Sequence, residues 1–186
     1  IMKKLVISTL IVSSVMAAQQ SIAKSPMDYS YAGVRYFDQR LDDADCSQDG
    51  LSIYGSVEIN EDLFAIGAIS DASGNRGCGS ETISAGVGYQ TLFGADSSLY
   101  GSLSYESTNV DYGKSDSGLV GAVGIRGFIS RALEAKIEAA HHTAFDGDTV
   151  LNGGVVYWFN QQFAATGDVS LGSDVSTIAV GLRMNF

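Results

Sequence analysis

The sequence predicts an all-β fold, a closed antiparallel up-and-down barrel of ten strands preceded by a removable leader. Apolar residues recur at every second position in one segment after another, and polar connections separate these segments, as in a chain of β-hairpins. The composition agrees, since the 186 residues include 22 Gly, a single Pro and only 17% charged residues. Such a chain is too apolar for a disordered protein, and its net charge of −10 argues against a nucleic-acid binder.

The first element along the chain is the leader. It has a basic start, an apolar run over 5–18 and a small-residue cleavage site at 21–23. This order is typical of a secretory signal peptide, and the run is shorter than the ~20 residues that a spanning helix needs. We therefore expect 1–23 to be a signal peptide and 24–186 to be the barrel domain.

The strands follow in order, and 51–59 is the clearest of them. Leu51, Ile53 and Val57 fall on one face there, while Ser52, Tyr54 and other polar residues fall on the opposite face. The same alternation, weaker in 28–38, 63–70 and 149–159, predicts ten strands, at 28–38, 51–59, 63–70, 82–89, 99–106, 119–126, 133–140, 149–159, 163–171 and 177–186.

Two features of this pattern bear on how the strands are arranged. The segment 63–70 is ambiguous, because either its odd-numbered or its even-numbered apolar residues can point outward. The connections alternate between longer polar ones, such as 40–49 and 107–117, and mostly tighter ones, such as 60–62 and 160–162. Outer-membrane barrels alternate in this way, with long outer loops and short periplasmic turns.

The composition of the two strand faces distinguishes a membrane barrel from two soluble alternatives. A β-sandwich or a lipocalin-like barrel would place its polar face in water, where Lys, Glu and Gln should be plentiful. Here that face is mostly Ser, Thr, Gly, Ala and Tyr, which suits the interior of a narrow barrel. The apolar face is almost free of charge, as a lipid contact requires, since Arg or Lys at mid-bilayer costs ~2–4 kcal/mol.

The end of the chain carries a resemblance to a known class. The last predicted strand places Val180, Leu182, Met184 and Phe186 on one face. With the leader and the alternating strands, it resembles the small single-chain, porin-like outer-membrane β-barrel proteins of Gram-negative bacteria. The resemblance implies an outer-membrane location, and it implies that these four residues form the signal read by the barrel-assembly machinery. Eight strands, common in barrels of this size, is the alternative count.

Aromatic residues near the predicted periplasmic turns indicate an interfacial girdle, because amphipathic rings favour the boundary between hydrocarbon and headgroups. Ordinary core aromatics are the alternative interpretation. The residues are Phe64, Tyr89, Phe93, Phe128, Tyr157, Phe159, Phe163 and Phe186.

The two cysteines lie in neighbouring connections at the same predicted end of the barrel. Cys46 falls in the first outer connection and Cys78 in the second. Because an exported chain passes through an oxidising compartment, we predict a Cys46–Cys78 disulfide. Two free thiols, or pairing with another chain, are the alternatives.

Charged side chains on the polar face are predicted to form a network in the lumen, because buried charges need partners. Such a network favours a largely plugged barrel with a structural or surface-interaction role. A narrow passive channel for small solutes is the alternative. The predicted lumen charges are Arg35, Glu58, Glu106, Arg126, Glu134, Lys136, Glu138, Asp168 and Arg183.

Signals for catalysis or metal binding are weak. His141 and His142 precede acidic residues at an outer strand end, which makes a rim enzyme the least favoured interpretation, and we expect no enzymatic activity. The acidic residues of the first outer connection fail the calcium-loop pattern and fit a solvated surface; they are Asp42, Asp43, Asp45 and Asp49. We expect no cofactor and no metal, a monomer, and outer-membrane lipid and lipopolysaccharide as surroundings.

Overall fold

The computed structural model describes residues 27–41, 46–74, 78–94, 96–111 and 113–186. The predicted signal peptide and the acidic residues Asp42, Asp43 and Asp45 lie outside these ranges. Ten strands account for most of the described chain. They are β1 Tyr31–Leu41, β2 Cys46–Glu58, β3 Leu63–Gly74, β4 Ser80–Leu92, β5 Ser97–Val110, β6 Asp116–Ser130, β7 Leu133–His142, β8 Asp148–Trp158, β9 Phe163–Leu171 and β10 Val175–Asn185.

Each strand pairs antiparallel with its neighbours in sequence, and β1 pairs with β10 to close the barrel. The seam is continuous, from Tyr31 opposite Asn185 to Leu41 opposite Val175. Closure leaves no strand edge, so every strand finds backbone partners on both sides, which hydrocarbon demands. The prediction of a closed ten-stranded antiparallel barrel is confirmed, and the eight-stranded alternative is wrong. The described residues contain no helix with the length and hydropathy to span a membrane.

The two ends of the barrel differ in their connections. We call the end with the β2–β3, β4–β5, β6–β7 and β8–β9 connections the turn end; it also holds Tyr31 and Asn185. Two of its turns share one design, in which the side-chain oxygen of Asn60 or Asn160 accepts hydrogen bonds from two backbone N–H groups ahead. An Asn that folds back in this way fixes a tight turn.

The opposite end, the loop end, differs from expectation. The predicted outer connections shorten, as from 107–117 to 111–115, because the flanking polar residues continue the strand pairing beyond the apolar band. Asp49, expected in a loop, is therefore a β2 residue that pairs with Asp38 of β1. The strands therefore extend beyond the apolar band at the loop end, and their polar ends form a rim.

The facing of the strands follows the period-two pattern. Apolar residues such as Ile53, Val123 and Ile178 are exposed on the outer surface. In β3 the ambiguity resolves with Leu63 and Ile69 outward and Phe64 buried in the lumen. The outer surface is thus a continuous apolar band suited to lipid.

Two members of the predicted aromatic girdle are corrected by this facing. Phe64 is a lumen residue, because it packs against Tyr29 inside the barrel. Phe128 pairs with Glu134, whose side chain is buried, so Phe128 also shares the inner face. The other six residues are exposed on the outer surface near the turn end, as expected of a girdle.

Candidate functional site

Aromatic rings in the lumen lie flat over glycines of the neighbouring strand. A Cβ atom added at Gly33 would lie 2.5 Å from the Tyr54 ring, and one added at Gly124 would lie 2.6 Å from Tyr100. A Cβ at Gly88 would overlap the Phe64 ring in the same way. Only glycine gives a ring this space against the wall, so these positions determine where the aromatic residues sit in the lumen.

The lumen floor, at the turn end, is built on a buried ionic cluster. Glu134 of β7 lies 2.8 Å from Nε of Arg126 and 3.8 Å from Arg183, which reaches it from β10. All three side chains are at most 6% exposed. Two guanidinium groups therefore share one strand carboxylate in a site from which water is excluded, where electrostatic interactions are strong.

Arg183 is held in place by its neighbours as well as by Glu134. Its Nε donates a hydrogen bond to Asn185, two residues along the same face of β10. Its guanidinium carbon lies 3.9 Å from the centre of the Tyr31 ring and 5.1 Å from that of Trp158. Such cation–π contacts are strongest in desolvated sites. The planar group is thus fixed in one orientation, with its remaining donors pointing into the lumen.

The chain segment Met27–Ser30, before β1, enters the barrel and lies on this floor. The Tyr29 ring stacks on Phe64 at 4.5 Å, its hydroxyl bonds with Ser98 at 2.8 Å, and Arg126 lies over its face at 4.3 Å. Met27 and Tyr29 are almost completely buried. We call Met27–Ser30 the inner segment.

The backbone of the inner segment is also hydrogen-bonded to the floor. The carbonyl oxygen of Asp28 accepts hydrogen bonds from both Arg126 and Arg183, each at 3.3 Å. The Tyr29 N–H donates to Glu58 at 3.0 Å, and the Glu58 N–H donates to the Ser30 hydroxyl at 3.2 Å. The inner segment and the floor cluster are thus bonded to each other at the turn end of the lumen.

A middle tier of polar pairs lies above the floor. Lys136 lies 3.5 Å from Asp168 across β8, with Gly154 between them. Glu138 accepts hydrogen bonds from the Tyr100 hydroxyl at 2.6 Å and from Asn152 at 2.9 Å. Arg35 lies over the Tyr54 ring at 5.0 Å. The middle tier thus contains residues from six of the ten strands, namely β1, β2, β5, β7, β8 and β9.

At the loop end, the two histidines take opposite faces. His142 points inward and its Nδ1 lies 2.8 Å from Glu106, whereas the exposed His141 bonds with Thr149 at 3.0 Å. The pair of imidazole and carboxylate links β7 to β5 across the inner face of β6. Among the described residues, no group of three or more His, Cys, Asp or Glu could hold a metal ion.

The structure brings the nine charged residues predicted in the lumen onto the inner face in three groups. Arg126, Glu134 and Arg183 form the floor with Glu58, which binds the inner segment. The middle tier holds the second group, and the Glu106–His142 pair forms the third. The inner segment differs from expectation, because Asp28, Tyr29 and Ser30 continue the alternating pattern and the sequence predicts them as the start of the first strand. The predicted lumen residues also do not include Trp158, whose ring lies beside Arg183 at the floor.

Cys46 and Cys78 form a disulfide between β2 and the connection ahead of β4, with a Cα–Cα distance of 6.5 Å. The bridge spans 32 residues of sequence but joins hairpins that already pair through β3. It therefore fastens the loop end, above the apolar band. The predicted Cys46–Cys78 disulfide is confirmed.

The residues proposed as an assembly signal all lie on one face of the final strand and its end. Val180 and Leu182 are 59% exposed, Phe186 is 38% exposed, and Met184 is half-buried beside them. They form a lipid-facing row next to the β1–β10 seam. The role of this row in assembly stays a prediction.

The β7–β8 connection offers a pH-dependent test at the rim. Asp116, beyond the apolar band, accepts a hydrogen bond from the Phe145 N–H at 2.8 Å, and this bond, with one from Ser117, lowers the pKa of Asp116 below its ordinary value. Phe145 and Asp146 both have positive φ, so the bond holds a strained turn. The stabilisation is therefore complete above the ordinary pKa and is lost as pH falls through the lowered pKa.

Replacing Asp116 with Asn should loosen this connection. At neutral pH the Phe145 amide should exchange its hydrogen about tenfold faster, because a bond to a charged acceptor becomes a bond to a neutral one. Hydrogen exchange read by NMR or mass spectrometry measures this. The control is Asp146→Asn, which removes an exposed carboxylate from the same turn and keeps a side chain that tolerates positive φ. Equal exchange in both variants would contradict the assignment.

Comparisons with known proteins agree with the architecture. No protein-family model matches the chain, and the search of curated proteins found no match. Among solved structures, the COG4313 outer membrane channel from Pseudomonas putida F1 is similar with a TM-score of 0.55 at 9% identity, over 90% of this chain and 100% of that one. The KdgM porin gives 0.51 at 13% identity, over 83% and 99%. These similarities show that the chain has the porin-like β-barrel fold of outer-membrane proteins.

Proposed function

We propose that the chain is an outer-membrane barrel whose lumen is closed at the turn end, and that it has a structural or surface-interaction role. The observation that carries this proposal is the inner segment lying on the Arg126–Glu134–Arg183 cluster. A conducting pore needs a continuous water path, whereas this layer is buried and ionically bonded. A ten-stranded barrel is also nearer the side-chain-filled eight-stranded size than the 16–18 strands of open porins.

The proposed location rests on the outer surface and on the fold. The apolar band, which carries no charged residue in the described strands, suits a bilayer, and the exposed aromatic residues near the turn end suit one of its interfaces. In the proposed orientation the turn end faces the periplasm and the polar rim faces outward. The proposed surroundings are outer-membrane lipid and lipopolysaccharide around a monomer.

Planar-bilayer recording of the chain beginning at Lys24 tests the closed lumen. We expect no stable unitary current steps, because the floor blocks the path at one end. An established outer-membrane porin reconstituted from the same detergent serves as the positive control. Reproducible unitary steps would overturn the proposal in favour of the narrow passive channel.

The proposal also includes assembly through the final strand. Phe186→Ala should lower the amount of heat-modifiable, membrane-inserted protein severalfold when the chain is expressed with its leader. Tyr157→Ala is the control, because it removes another exposed aromatic residue near the turn end but leaves the final strand intact. Equal insertion of both variants would show that Phe186 carries no assembly signal.

No catalytic role is proposed for the loop-end histidines. His142 forms a pair with Glu106, and its adjacent histidine points to the opposite side of the wall. If a hydrolytic or transfer activity were found and His142→Ala abolished it, this part of the proposal would be wrong.

A further inference from the structure

We infer that Arg126 and Arg183 form a small-anion site at the lumen floor, and that the inner segment of the same chain occupies it as a displaceable closure. The inference rests on the proposed function, in which the complete barrel is closed at this point. It adds what the closure covers and which class of ligand the covered site accepts.

The first argument is the way in which the two arginines hold the inner segment. Arg126 and Arg183 each donate a hydrogen bond from Nη2 to the same oxygen atom, the Asp28 carbonyl, at 3.3 Å. A carbonyl oxygen carries only a partial charge, whereas a carboxylate oxygen accepts charge-assisted bonds that are about twice as strong. The geometry is therefore that of an anion site in which a neutral backbone group stands in for the anion.

The second argument is the charge of the strand residues that build the floor. Among the described residues, Glu134 is a carboxylate in ion-pair contact with both guanidinium groups, and it is closer to Arg126 than to Arg183. Both arginines are deeply buried, so solvent screens them little. Arg126, Arg183 and Glu134 together carry a net positive charge, and Glu58, the other carboxylate of the floor, binds the Tyr29 N–H rather than a guanidinium group. This local excess of positive charge favours a small carboxylate once the inner segment leaves.

The third argument is that the buried layer of charged side chains, from which water is excluded, is confined to the level of the inner segment. The side chains of Arg126, Glu134 and Arg183 are 3–6% exposed, whereas Lys136 in the middle tier is 34% exposed and His142 at the loop end is 32% exposed. Water thus reaches the lumen from the loop end as far as the middle tier. The floor with its bound segment is the barrier to further passage.

The fourth argument is that the inner segment can leave without breaking the barrel. Met27–Tyr29 takes no part in the strand pairing, and the β1–β10 seam begins at Tyr31. Its contacts include the stacked Tyr29 ring, the hydrogen bonds of Tyr29, those of the Asp28 carbonyl, and those of Ser30 with Glu58 and Phe186. Removal therefore costs these contacts but leaves every strand pair in place.

The experiment compares the chains 24–186 and 31–186, refolded into the same vesicles and checked for a folded barrel by their heat-dependent mobility in SDS. In planar bilayers we expect 24–186 to be silent and 31–186 to give stable unitary steps. In a KCl gradient the reversal potential of 31–186 should indicate anion preference, and acetate should reduce the chloride current. A peptide of residues 25–30 should block the steps, whereas the same peptide with Tyr29→Ala should not.

Two further variants complete the test. Arg183→Gln in 31–186 should abolish the anion preference and the effect of acetate, because it removes one of the two cations. Tyr29→Ala in 24–186 keeps the segment but removes its stacking and its bond to Ser98, and it should produce intermittent openings even if 31–186 fails to fold.

The outcomes separate the two proposals. Stable unitary current steps from the chain 24–186 without substitutions would contradict the proposed function. If 31–186 folds but gives no current steps, the displaceable closure is contradicted. If 31–186 does not fold, the absence of steps from the Tyr29→Ala variant of 24–186 contradicts it. Steps without anion preference contradict the arginine site.

Discussion

Glu134→Gln should destabilise the barrel by about 3–5 kcal/mol, the typical cost of breaking a buried ion pair by removing one partner. Glutamine keeps the size and shape of the side chain but loses its charge. Arg126 and Arg183, both buried, would then lose the carboxylate that contacts both of them. The loss arises from two uncompensated cations rather than from an empty space.

Trp158 provides the measurement, since it is the only tryptophan in the chain and the Arg183 guanidinium lies over its ring. Urea unfolding in phospholipid vesicles, followed by Trp158 fluorescence, should show a markedly lower midpoint for Glu134→Gln. Glu81→Gln makes the same chemical change on the exposed surface of β4, and it should leave the midpoint nearly unchanged. Equal midpoints for the two variants would show that the floor cluster contributes little to stability.

Gly124→Ala should cost about 1–3 kcal/mol, the usual penalty for overpacking a filled interior. The added Cβ would lie 2.6 Å from the Tyr100 ring and 2.8 Å from the Ile137 carbonyl oxygen, so the ring or the β6–β7 pair must shift. Moving Tyr100 also disturbs its 2.6 Å hydrogen bond to Glu138 in the middle tier.

Gly121 offers a matched control three residues away on β6. It lies on the exposed outer face, and a Cβ added there meets no atom within 4 Å. Gly121→Ala should therefore stay within about 0.5 kcal/mol of the unaltered protein. The same urea titration compares the two variants, and an equal effect would contradict the close packing of Tyr100 on β6.

The strands and their facing could be predicted from the sequence because lipid outside and a narrow lumen inside impose a period of two. Ile53 and Ile178 must face hydrocarbon, so Ser52 and Ala179 face the lumen without further information. The lumen location of residues such as Arg126 and Glu134 follows from the same alternation. Their pairing does not, because it depends on which strands lie side by side and on how far each side chain reaches.

The inner segment and Phe64 could not be predicted in this way. Tyr29 lies in an alternating stretch like that of a strand, and only Phe64, Ser98 and Arg126, all distant in sequence, draw it into the lumen. Phe64 lies beside a turn, where an aromatic residue usually marks the bilayer interface. Its inward direction depends on the space that Gly88 leaves on the neighbouring strand.

The route of the inner segment has a consequence for the order of folding. Its bonds reach partners 69, 98 and 155 residues away along the chain, on β5, β6 and β10. Contacts between such distant residues form slowly, because the loop-closure entropy must be overcome first. The binding surface is also incomplete until β10 has brought Arg183 to the floor. We therefore expect the amino-terminal segment, which leaves the ribosome before all ten strands, to reach its native place only after the last strand has joined the sheet.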